Sequence, residues 1–74
     1  MNITVKLFAS FRTGRFAEQR RCCAEGCTAG QVLAELAIAE AAVGVMLVNG
    51  KHIASGQALS EGDTLSVFPL LGGG

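Results

Sequence analysis

Three glycines in succession, Gly72, Gly73 and Gly74, close the sequence. At an average glycine usage of about 7%, chance produces such an end roughly once in three thousand sequences. Glycine carries no side chain and tolerates any backbone angle. A tail of this kind can thread a narrow tunnel and set its terminal carboxylate beside a nucleotide or another protein's catalytic groups. A Cβ near the end would clash there. A free carboxylate is a poor acyl donor, so it needs activation, and adenylation supplies it. Sulfur can then displace the adenylate and leave a thiocarboxylate on Gly74. Gly74 is the candidate reactive residue, with Gly73 beside it. A frayed end or a remnant of cloning are the plain alternatives.

Two aromatic residues supply the next signal. Phe8 is the large apolar residue on the polar face of the first alternating segment, and Phe68 has the same kind of position in the last. If those segments are parallel neighbours, both rings lie at one end of a sheet, on one face, where the tail leaves. An apolar patch beside a reactive tail is what a docking surface needs. Phe8, Phe68, Leu70, Leu71 and Gly72 are therefore the candidate partner-binding residues. The alternative is that the chain's own loops, including the segment around Phe11, cover both rings.

Other chemistry is thinly represented. Cys22, Cys23 and Cys27 offer three thiols, and His52 is the single histidine. An odd cysteine count without an export signal argues against a disulfide framework, and three thiols fall one short of a closed zinc site. Reduced cysteines acting as small hydrophobes are the expected state. No metal site is expected. No nucleophile–base pair or carboxylate pair is evident, so an enzyme acting alone is not expected. Gly26-Cys27-Thr28-Ala29-Gly30 lacks the lysine of a phosphate loop. Six basic residues balance six acidic ones, so no electrostatic footprint for nucleic acid exists. No apolar run approaches the ~18 residues of a membrane span. The opening residues lack a secretory pattern, and a cytoplasmic location is expected.

The elements that must position the tail follow from periodicity. Ile3, Val5, Leu7 and Ala9 alternate with Thr4, Lys6 and Phe8, which predicts a half-buried strand. Ser10 to Gly14 reads as a turn, and a second strand is expected over 16–24. Thr28 and Gln31 form a capping box. Val32, Leu33, Leu36 and Ala37 then share one face of a helix that should end before Gly44, with Glu35 and Glu40 pointing away. Val45 to Val48, the Asn49-Gly50 turn and Lys51-His52-Ile53 read as a tight hairpin. Leu59 anchors a loop, Glu61-Gly62-Asp63 turns, and Thr64 to Phe68 is the last strand, ended by Pro69. Half the residues are hydrophobic, enough for one small core. This order predicts an α+β fold, one main helix on a mixed sheet of four to five strands. Residues 1–71 would form the domain and 72–74 a flexible tail.

Several of these stretches together resemble the MoaD/ThiS family of prokaryotic sulfur carriers. The opening Met1-Asn2-Ile3-Thr4-Val5-Lys6-Leu7-Phe8-Ala9-Ser10-Phe11-Arg12 is similar to the family's first strand and arginine turn. Val48-Asn49-Gly50-Lys51 resembles its central hairpin. The stretch from Leu59 to Pro69, with Gly62-Asp63, resembles its last strand, and the glycine tail completes the likeness. The MoaD-type small subunit of molybdopterin synthase is the most similar branch. The sequence departs from the pattern in its third terminal glycine, in Pro69-Leu70 where many relatives show Pro-Pro, and in its cysteine cluster.

The resemblance implies a β-grasp (ubiquitin-like) fold with the first and last strands parallel at the centre. It implies a thiocarboxylate at Gly74, formed by a ubiquitin-activating-type adenylating enzyme of the MoeB/ThiF kind that uses ATP and magnesium. No cofactor bound to this chain is implied. The second implied partner is the large subunit of molybdopterin synthase or another sulfur-accepting enzyme. Carriage of sulfur for molybdenum or tungsten cofactor assembly is the leading expectation. Open alternatives are a ThiS-like carrier for thiazole, a ubiquitin-like modifier joined to lysine, and a non-catalytic interaction module.

Overall fold

The structure is a computed structural model that describes residues 1–70. The alternation of Ile3, Val5 and Leu7 produces β1, Asn2–Leu7, and all three side chains are buried. β2 spans Glu18–Cys22, α1 spans Ala29–Glu35, β3 spans Val43–Val48, β4 spans Lys51–His52 and β5 spans Thr64–Pro69. Short 3-10 turns occupy Ala9–Arg12 and Glu40–Ala42. One sheet holds the strands in the order β2-β1-β5-β3-β4. β1 and β5 run parallel at its centre, with Thr4 opposite Thr64 and Leu7 opposite Val67. The other pairings are antiparallel. This is the expected mixed sheet with one main helix.

The core lies between the helix and one face of the sheet. Val5, Leu7, Leu65 and Val67 from the two central strands are fully buried against Val32 and Leu33 of α1. Phe11, Ile38, Met46 and Leu59 close its margins. No buried polar side chain interrupts it among the described residues. Removing a core leucine from so small a core costs about 2–5 kcal/mol.

The helix starts as its sequence requires. The Gln31 backbone N–H donates to Thr28 Oγ1 at 3.2 Å, and the Thr28 N–H donates to Gln31 Oε1 at 2.8 Å. The Asn49-Gly50 turn also forms as expected, with φ of 52° and 83°, the left-handed pair that twists a tight hairpin correctly. Asn49 does more than turn the chain. Its side chain accepts from the Thr64 N–H at 2.9 Å and donates to Asp63 Oδ1 at 3.0 Å. The hairpin is thereby tied to the start of β5.

The helix ends earlier than the periodicity suggested. Ala37 has φ 57°, Ile38 N–H donates to Leu33 O, and Ala37 N–H donates to Ala34 O. This is a Schellman cap, with buried Ile38 and Leu33 making its apolar contact. Glycine is usual at the left-handed position, and alanine there gave the sequence no stop signal. Ala37 is consequently exposed, not on the apolar face, and Ile38 takes the buried place. Glu40 is exposed as expected but belongs to the separate 3-10 turn that precedes β3. Ala9 is likewise not the fourth buried residue of β1. It has φ 51°, starts a 3-10 turn and is exposed. β2 is shorter than expected, and Pro69 ends inside the last strand, opposite Val43.

No basic residue lies in the last turn of α1. Arg15 takes that part from a distant loop. Its guanidinium donates to Leu36 O at 3.0 Å, Ala37 O at 3.2 Å and Phe11 O at 3.2 Å. Orphan carbonyls at a helix C-terminus favour a cation. Arg15→Ala should lose about 1 kcal/mol in urea unfolding, because charge-assisted bonds are lost at an exposed site. Ala37→Gly should gain about 1 kcal/mol by relieving the left-handed alanine. An unchanged midpoint in either variant would contradict this account of the helix end.

Candidate functional site

The parallel pairing continues one residue past β1. The Phe8 N–H donates to Val67 O at 3.2 Å, which sets Phe8 beside Phe68 on the face away from the helix. The two rings stack with centroids 4.1 Å apart and planes 9° from parallel. Both are half-buried. Phe11 does not cover them, because it turns into the core. Arg12 does so in part. Its Nε donates to Leu7 O at 2.8 Å, and its guanidinium carbon lies 5.4 Å from the Phe8 ring centroid. That spacing is within cation–π range. Arg12, Phe8 and Phe68 form a layered stack, of which sequence reasoning identified only the two rings.

Strand register extends the patch across the sheet. Val45 stands opposite Phe68, Leu47 opposite Ser66, and His52 opposite Leu47. These residues share the outer face. Gly44, Val45, Leu47, His52, Phe68, Pro69 and Leu70 line a shallow trough of about 590 Å³. Val45 and Leu70 are the large hydrophobic residues left exposed among those described, at 37% and 59%. An exposed apolar trough beside a strand end is suited to burying against another protein. Val45 and Leu47 escaped the sequence reading. The signal was available: an apolar run through both faces of β3 needs cover on its second face.

Leu70 is the last described residue. Its N–H donates to Ala42 O at 2.9 Å, and its side chain borders the trough. The other expected tail residues, Leu71, Gly72, Gly73 and Gly74, and the domain boundary after residue 71, lie outside the described residues.

The cysteines do not converge on one site. Cys22 is exposed, Cys23 half-buried and Cys27 buried, and all three are free. Burial pushes the Cys27 thiol up from its ordinary pKa, and the neighbouring Cys23 thiol adds to the rise through a hydrogen bond and its charge. A raised pKa makes a poor nucleophile at neutral pH. No group of three metal-ligating side chains occurs among the described residues. His52 sits at the rim of the trough and on no metal cluster. No helix among the described residues is long and apolar enough to cross a membrane.

Known proteins share this architecture. SAMP1 from Haloferax volcanii is 28% identical, with all of both chains covered and a TM-score of 0.77. A candidate subunit 1 of a molybdopterin converting factor from Pyrococcus furiosus is 23% identical over 96% of this chain and 99% of its own, with a TM-score of 0.76. A Helicobacter pylori structure, described as the complex of subunits 1 and 2 of molybdopterin-converting factor, includes a chain 18% identical over the full length of both, with a TM-score of 0.68. The latter two likenesses concern the fold. No protein of curated function matches the chain. The ThiS family model matches residues 5–74, which take in the second half of β1, the outer-face stack and the glycine tail. This β-grasp chain therefore belongs to the ThiS family of ubiquitin-like sulfur carriers.

Proposed function

We propose that this chain carries sulfur as a thiocarboxylate on Gly74 and donates it in molybdopterin synthesis. The observation that carries the reading is the placement of the Phe8–Phe68 stack and its apolar trough at the end of β5. The chain runs from that end toward Gly72, Gly73 and Gly74. A partner that grips the outer face can receive the tail in the same encounter. The chain itself supplies fit and reach. Its described residues include no catalytic cluster, and a partner would supply the catalysis.

The chemistry has two steps. An adenylating enzyme uses magnesium-bound ATP to join AMP to the Gly74 carboxylate, releasing pyrophosphate. A sulfur donor then displaces AMP and leaves one sulfur in place of one carboxylate oxygen. The same face would next dock on a sulfur-accepting enzyme, a large subunit of the molybdopterin synthase type. The likeness to a subunit of the Helicobacter pylori complex is in keeping with such a partner. Glycines at 72–74 would let the end lie flat in a narrow channel.

A second reading, a modifier joined through Gly74 to lysine amines, is favoured by one observation. The chain is 28% identical to SAMP1 over its whole length, and a second structure of that Haloferax volcanii protein describes it as a small archaeal modifier. Both readings begin with adenylation and differ in the nucleophile that follows.

Intact mass decides between them. After incubation with the cognate adenylating enzyme, ATP and a sulfur donor, the mass should rise by the exchange of one oxygen for sulfur, located on Gly74. Lysine conjugates without that exchange would support the modifier. Phe68→Ala should weaken binding to the adenylating enzyme by about ten- to a hundredfold, the loss typical of a central aromatic contact. Calorimetric titration checks it, and unchanged affinity would remove the stack from the docking surface.

A further inference from the structure

The tail must leave the sheet from a fixed point if a partner is to hold the outer face and the tail together. β3 and β5 provide that point through a local irregularity. Val43 pairs with Pro69 but Val45 pairs with Phe68, so Gly44 is the extra residue of a bulge. Its φ is not in the left-handed region, so conformational freedom does not explain the glycine. Space does. A Cβ at Gly44 would lie 2.8 Å from Pro69 O and 3.1 Å from both Pro69 C and Leu70 Cα. These are backbone atoms, which no rotamer change can move aside. Pro69 has no N–H to give, and the next donor, Leu70 N–H, reaches Ala42 O at 2.9 Å.

We infer that Gly44 is a positioning residue for the reactive tail. Together with the Ala42 carbonyl it grips Pro69 and Leu70 and sets the place and direction from which residues 71–74 depart. This role rests on the carrier reading. Four residues span at most about 14 Å. A partner that binds the stack fixes the distance from Phe68 to its own nucleotide. A displaced root then shortens the usable reach of the carboxylate while the docking face stays intact. Such a displacement acts on the chemical step, and a shift of about 1 Å can cost up to a hundredfold in rate.

The test is ATP–pyrophosphate exchange by the cognate adenylating enzyme, with the full-length chain as substrate. Gly44→Ala should lower kcat about ten- to a hundredfold, with KM for the chain changed less than about threefold. Gly56→Ala, where an added Cβ meets nothing within 4 Å, should match wild type. One extra glycine inserted before Gly72 should restore much of the lost kcat in Gly44→Ala, which a merely structural defect would not allow. If Gly44→Ala loses its fold, Leu70→Pro is compared with Leu70→Ala: both remove the leucine side chain from the trough, and only the proline also removes the N–H given to Ala42; equal kcat in the two overturns the role. Wild-type exchange with an equally active, folded Gly44→Ala also overturns it, and leaves the carrier reading standing. Absence of exchange with wild type overturns the carrier reading, and this role with it.

Discussion

The parallel pairing of β1 with β5 is the constraint on which the rest of the molecule depends. It places Val5, Leu7, Leu65 and Val67 side by side beneath the helix, where all four are fully buried. The same register, carried one step further, sets Phe8 against Phe68 on the opposite face. Core and outer-face stack are therefore two sides of one pairing. A slip of one residue would turn both inside out, because side chains alternate along a strand. The outer strands, the Asn49 tie to β5 and the Arg15 cap on the helix all brace that central pair.

Much of this was legible in the residues. Alternation at Ile3, Val5 and Leu7 and at Leu65 and Val67 identified the central strands, and Thr28 with Gln31 identified the helix start. These signals are local, and local physics decided them. The helix end was misread because Ala37 occupies a position where glycine is the readable mark. Ala9 was misread for a related reason, since alternation alone cannot reveal a left-handed residue. The trough was half-read. Phe8 and Phe68 announced themselves as large apolar residues among polar neighbours, whereas Val45 and Leu47 lay hidden in a run apolar on both faces. Arg12 over Phe8 depends on how the turn closes, and no spacing rule reports that. Gly44 looked like a helix stop. Its real constraint is the backbone of Pro69 and Leu70, a contact visible only in three dimensions.

In the proposed function, the sheet face and the strand end have separate parts. The outer face presents an apolar surface with Arg12 and His52 at its margins. A cation such as Arg12 beside an apolar patch would penalise a partner that brings a like charge there. The glycines beyond carry no side-chain information at all. Whatever distinguishes one ThiS-family member from another for its partners must be written on the folded body.

The Phe8–Phe68 stack also reports whether the chain has closed on itself. Its two rings come from opposite ends of the sequence and meet only after nearly the whole chain has closed on itself. Such long-range closure is among the slow events of folding. A complete but unfolded copy possesses both phenylalanines but not the stack. For any partner that reads the stack, recognition would double as inspection of the fold.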